Sequence, residues 1–262
     1  MIKQTQESPV AAAADAQAKV AEPREGAQSK VFDHGDYVLK VPVPPEAMLA
    51  KARANPHPWF PRMTLEDANT QHANGIEHHR TVERYLANCP ELRRLCADFT
   101  LLGDDRVRQR KVEVLDHLGD KDRLHEHEAE IRRLIDDFAA LHLALWRHGA
   151  CDLECSALTN CGRDPNTGEL LLIDVGNLSF RLADGLESVG DPLSVERATE
   201  YMKTDKKARD GERLPDWFTR GQLRNHFFEH APALFEYYIS KMSSMLTQEA
   251  LKNAWPSASR VA

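Results

Sequence analysis

The sequence predicts an α+β fold in two lobes, a reduced β-rich one followed by a helical one. Alternating apolar patterns come early in the chain and helical periodicity dominates later. Strand and helix do not alternate as βαβ units would. The divisions expected from these patterns are a tail over residues 1–27, a β-rich lobe over 28–115 and a helical lobe over 116–262.

The tail is rich in Ala, Gln and Glu without hydrophobic periodicity, which predicts disorder. SKVF at 29–32, a turn at DHGD and YVLKVP at 37–42 predict a hairpin. Tyr37, Leu39 and Val41 then share one face, and Val38 and Lys40 the other. The Pro-rich stretch from Pro42 to Arg62 leaves room for one short helix. Thr64 opens a helix to about Ala87, with Asp67 in capping-box position. Leu101-Leu102 and VRQRKVEVLD at 107–116 read as strands. From His125 to His148, Ile131, Leu134, Ile135, Phe138, His142, Leu145 and Trp146 fall on one helical face. DPNTG at 164–168 is a hairpin turn served by Pro165 and Gly168. Asp191 and Pro192 are placed to cap and start a later helix. The last apolar stripe is Leu234, Tyr238, Met242 and Met245.

Net charge −7 argues against a nucleic-acid-binding surface. No apolar run is long enough to span a bilayer, and the N-terminus has no secretory apolar segment. Five cysteines suggest reduced thiols and a cytoplasmic setting. His148, Cys151, Cys155 and Cys161 are crowded enough to raise zinc, although only Cys151-x3-Cys155 approximates a metal knuckle. His78, His79, His125 and His127 read as surface residues of helices.

The chemistry concentrates where Leu170-Leu171-Leu172-Ile173 runs into Asp174, with Gly176 two residues later. A carboxylate ending an apolar strand is costly unless something cationic meets it. Lys40, inside another apolar strand, either snorkels at a sheet edge or is that kind of partner.

VLKV around Lys40, the helix ending Arg147-His148-Gly149, NCGRDPNTGELLLIDVG at 160–176 and VGDPLSVER at 189–197 together resemble the protein-kinase-like superfamily. The likeness is greatest to its bacterial aminoglycoside- and small-molecule-phosphotransferase branch and to minimal effector kinases. It covers about residues 30–200 and is most specific over about 145–195. The resemblance implies a two-lobed kinase-like fold that uses ATP and Mg²⁺ to move a γ-phosphoryl group to a hydroxyl. It makes Asp174 and Asn160 metal ligands and puts Lys40 on the α/β-phosphates. A glutamate of the first long helix, Glu83 or alternatively Glu77, would hold that lysine. Gly26 and Ser29 fall in the segment that covers the phosphates, which carries a single glycine where the family has several.

The family's base stands five residues before the metal-binding Asn, which is Cys155 here; Asp152 stands eight before it. A loop three residues longer makes Asp152 the base. No Ala-Pro-Glu follows Gly176, and the short chain beyond Gly190 favours a protein (Ser/Thr) acceptor over a small molecule. A pseudokinase that binds a partner without transfer is the alternative from another class. Similarity to exported effector kinases also admits delivery into a host cell through the N-terminal segment.

Overall fold

The computed structural model describes residues 24–25, 29–54, 63–103, 105–204, 213–220 and 223–257. Most of the expected tail, and Gly26 with it, lies outside them. Arg24–Glu25 (β1) is nonetheless a strand, paired antiparallel to Ser29–Asp33 (β2). Tyr37–Pro42 (β3) completes the expected hairpin, with Val31 opposite Lys40.

Pro45–Ala54 (α1) is the short helix of the Pro-rich stretch. Its Met48 and Leu49 pack with Val43 and Ala68 in a small separate core. Leu65–Asn88 (α2) starts with the expected capping box: Thr64 Oγ1 accepts from Asp67 N at 3.1 Å, and Asp67 Oδ2 accepts from Thr64 N at 2.8 Å. After Pro90–Arg94 (α3), Phe99–Leu101 (β4) and Val107–Arg110 (β5) close an antiparallel five-stranded sheet of order β1-β2-β3-β5-β4. Strand β3 is therefore central, and Lys40 does not sit at a sheet edge.

Glu113–Val114 (β6) leads through two 3-10 turns into Glu128–Arg147 (α4). This helix begins three residues later than its apolar pattern suggests, because 124–127 form a turn. His125 and His127 thus precede it. All seven residues of its expected face are buried, and each large aliphatic or aromatic one among them contributes roughly 1.5–3 kcal/mol. Cys151–Asp152 (β7) follows, then the hairpin of Cys161–Arg163 (β8) and Leu170–Leu172 (β9). Gly168, at φ +72°, supplies the left-handed residue of its turn. Sheet order here is β6-β8-β9, and Leu178–Ser179 (β10) pairs with β7.

The remaining helices are Leu182–Val189 (α5), Val195–Thr204 (α6), Asp216–Thr219 (α7), Leu223–His230 (α8), Pro232–Met245 (α9) and Gln248–Ala254 (α10). The expected cap at Asp191 is not made. Helix α6 begins at Val195, and Ser194 Oγ accepts from Arg197 N at 3.2 Å. Asp191 instead pins a distant segment, its Oδ2 accepting from Arg213 N at 2.9 Å. Gly190 permits the approach: a Cβ there would lie 2.7 Å from Arg213 O.

The fold is mixed α+β. One continuous core, centred on α4 and α9, runs from Val82 to Leu251 and includes Phe138, Trp217 and Tyr238. No helix among the described residues is long and apolar enough to cross a membrane.

Candidate functional site

Strand β9 is fixed on both edges before it delivers Asp174. One edge pairs with β8; on the other, Leu172 N donates to Leu95 O at 2.9 Å and its carbonyl accepts from Ala97 N at 2.8 Å. Beyond it, Ile173 N donates to Asn160 O at 2.7 Å. Asp174 then caps a 3-10 turn over Val175–Asn177, its Oδ1 accepting from Gly176 N at 3.0 Å. A Cβ on Gly176 would stand 3.1 Å from that same oxygen, so close approach, rather than a left-handed backbone, calls for glycine here.

Lys40 meets this strand end from the central strand of the first sheet. Its Nζ donates to Ile173 O at 2.8 Å, across 133 residues of sequence. Burial lowers the lysine pKa, and the neighbouring Asp174 carboxylate acts in the opposite direction. Lys40 and Asp174 line one cleft of ≈ 230 Å³ with Ser29, His79, Glu154 and Asn177.

Glu154 organises the polar floor. Its Oε2 accepts from Asn160 Nδ2 at 3.1 Å and from Asn177 Nδ2 at 2.6 Å. Asn160 is buried behind this carboxylate, and its Oδ1 accepts from Thr159 Oγ1 at 3.2 Å. The amide that reaches the cleft is thus Asn177, while Asn160 braces Glu154 and, through its backbone, the end of β9.

Glu83 is not the partner of Lys40. Its Oε1 accepts from Leu101 N at 2.8 Å and so ties α2 to β4. Glu77 is exposed and pairs with Arg80 and Arg84. The α2 residue beside the lysine is His79, expected on the surface but largely buried in the cleft. Burial lowers its pKa, as do the Lys40 and His78 charges, with Asp174 opposing. Its Nδ1 is buried without a hydrogen-bond partner.

Asp152 lies on the far side of the same loop. It is 1 % exposed and belongs to an enclosed cavity of ≈ 10 Å³ with His142, Cys155, Ser188 and Trp217, not to the cleft lining. Oδ1 accepts from Glu154 N at 3.0 Å and Oδ2 from Cys155 N at 3.2 Å. Burial pushes its carboxyl up to about 7, and the Asp174 and Glu154 charges push the same way against those two N–H bonds. The set His148, Cys151, Cys155 and Cys161 is not assembled as a cluster. His148 Nδ1 lies 3.9 Å from Cys89 Sγ, and all five cysteines are free thiols. Burial pushes the Cys151 thiol up to about 12.

The sequence matches no protein-family model and no curated protein. Glu154 and Asn177 were not singled out from sequence, and His79 only as a surface residue. The one available signal was that Glu154 and Asn177 flank residues that were, Asp152 and Asp174.

Proposed function

We propose that the chain is an ATP- and Mg²⁺-dependent phosphotransferase with a two-lobed kinase-like arrangement, moving the γ-phosphoryl group to a protein serine or threonine hydroxyl. The observation that carries this reading is the meeting of Lys40 and Asp174 in one open cleft, with the ammonium on the carbonyl next to the aspartate. A purely structural lysine would be packed shut against its partner. This pair borders free volume together with further oxygen donors.

The donor set suits magnesium. Asp174 and Glu154 offer hard carboxylate oxygens at the cleft, as Mg²⁺ prefers, and no cysteine lines it. When bound, magnesium would neutralise phosphate charge. Asn160 and Asn177 hold Glu154 in place for this, a supporting role for Asn160 in place of the direct ligation expected of it. Lys40 supplies a cation to the phosphates, and Ser29 a hydroxyl at the cleft edge. His79 stands where the resemblance would put a glutamate; a largely buried neutral imidazole keeps Lys40 from being locked into an ion pair. Asp152 is assigned the acceptor's proton, a role that requires its carboxylate to turn from the cavity toward the cleft. Each of its oxygens uses one acceptor site on a backbone N–H and retains another, and a carboxyl near 7 matches what a general base needs at neutral pH.

One observation favours the second reading, a nucleotide-binding pseudokinase: Asp152 is sealed away from the cleft. Radiolabelled ATP incubated with the protein alone, with a protein lysate and with a metabolite pool separates the possibilities. Label in protein, lost in Asp174→Ala, is expected. Label only in metabolites would move the acceptor class to small molecules. ATP binding with no transfer to any acceptor or to water would establish the pseudokinase instead.

A further inference from the structure

The enclosed cavity behind Asp152 has a chemistry unlike that of the cleft. Among the described residues, His142, Asp152 and Cys155 bring a nitrogen, an oxygen and a sulfur within 4.8 Å of one another, all three residues being buried. We propose that these three form a site for a single thiophilic divalent cation, zinc, and that filling it holds Asp152 in the cavity, away from the cleft.

Four features support the assignment. First, His142 is oriented as metal-binding imidazoles commonly are: its Nδ1 donates to the Phe138 carbonyl at 3.0 Å, which fixes the proton there and leaves the lone pair on Nε2. That Nε2 is fully buried with no partner, which in a packed core calls for an occupant. Second, Cys155 is held at φ +50°, a left-handed conformation rare for a residue with a side chain. The thiol is thereby folded back onto its own loop, 3.1 Å from Asp152 O.

Third, the charges balance. A thiolate, a carboxylate and a neutral imidazole carry two negative charges, which a divalent cation cancels without leaving net charge in the core. Binding breaks the Cys155 S–H bond, forms a metal–sulfur bond and releases one proton to solvent. Fourth, Trp217 lines the same cavity, and its Nε1 is also buried without a partner. The cavity has room for about one water. That space suits one metal ion among the three side chains, and Trp217 closes the wall beside it. Val189, Trp217 and Leu246 form a shared wall between this cavity and the ≈ 370 Å³ groove beneath Gly190–Pro192.

Binding itself does not depend on the phosphotransferase reading; its consequence, inhibition by loss of the base, rests on it. The rival occupant is a lone water bridging His142 and Trp217.

The test is a titration of the metal-stripped full chain with Co²⁺, followed by displacement with Zn²⁺. The expected result is a single equivalent of Co²⁺ with near-ultraviolet thiolate absorption, displaced by Zn²⁺ and lost in Cys155→Ser and His142→Phe. His127→Ala should leave the band intact, since His127 pairs with Glu130 and does not line the cavity. If the Cys155 or His142 variants do not fold, the wild-type spectrum decides alone. Absence of binding, Co²⁺ bound without a thiolate band, or a band that survives Cys155→Ser would each overturn the site. Where transfer activity is present, it should fall in step with the equivalent of Zn²⁺; full activity in the zinc-loaded protein would overturn the inhibitory role while leaving binding to be judged by the spectrum.

Discussion

The wide cleft and the narrow buried cavity are built from one stretch of loop, yet they differ in size, in burial and in the groups that line them. Glu154 faces the cleft, with oxygen and amide neighbours and solvent access. Asp152 and Cys155, two residues before it and one after, face the cavity against α4. The division is made by the loop's own hydrogen bonds. Asp152 accepts from the N–H groups of Glu154 and Cys155, and the left-handed backbone at Cys155 turns the chain. Two carboxylates two positions apart thereby receive opposite solvents. The cleft gathers carboxylate, amide and ammonium groups, the cavity an imidazole, a carboxyl and a thiol.

The largest expected effect tests the cleft half of this contrast. Mg-ATP should raise the melting temperature of the wild type by mass action, and Asp174→Ala should abolish the metal-dependent part. An equal shift in both proteins would show that the cleft binds no metal through Asp174.

Next in size is the test of whether the two compartments cooperate. Asp152→Asn should reduce turnover by about 10² or more with nucleotide affinity nearly unchanged, because a base acts mainly in the transition state. Cys155→Ala is the comparison for the other loop register. A neutral Asp152→Asn beside an inactive Cys155→Ala would break the assignment of the base.

A smaller effect concerns pH. The folded-state pKa of His79 is depressed, chiefly by burial and then by Lys40 and His78, with Asp174 in opposition. The unfolded chain therefore binds a proton near pH 6.5 that the folded chain does not, so stability falls as pH drops below that value. His79→Gln should flatten the stability curve between pH 7 and 5, measured by denaturant melts; an unchanged slope would place the imidazole in solvent. Smallest of all, Glu83→Ala should cost roughly 1–2 kcal/mol by stranding Leu101 N, with nucleotide affinity intact. A large loss of ATP affinity in that variant would restore Glu83 as the lysine's partner.

The error over Glu83 shows where sequence stops. His79 and Glu83 both fall toward the packed side of α2, one turn or about 6 Å apart along its axis. Periodicity gives the face a residue occupies but not how far the helix slides against the sheet. That offset decides whether a carboxylate or an imidazole stands beside Lys40. The Asp191 cap failed similarly: the local signal was sound, but Ser194 was also available, and Asp191 found a long-range partner in Arg213.

What the sequence determined by itself is what short-range forces settle. The hairpin around β3, the Thr64–Asp67 capping box, the buried face of α4, the Asp164–Gly168 turn and the carboxylate at the end of β9 all follow from residues a few positions apart. Only tertiary structure decided which of those groups share a compartment. Lys40 reaches Ile173 across 133 residues, and Glu154 is gripped by an asparagine on either side of the hairpin. The apolar stripe marked His142 as a core residue, but nothing in the pattern shows that its Nε2 lacks a partner or faces Asp152 and Cys155. Hydrogen-bond satisfaction in a core depends on how distant elements pack, and that information is held in the contacts rather than in the order of residues.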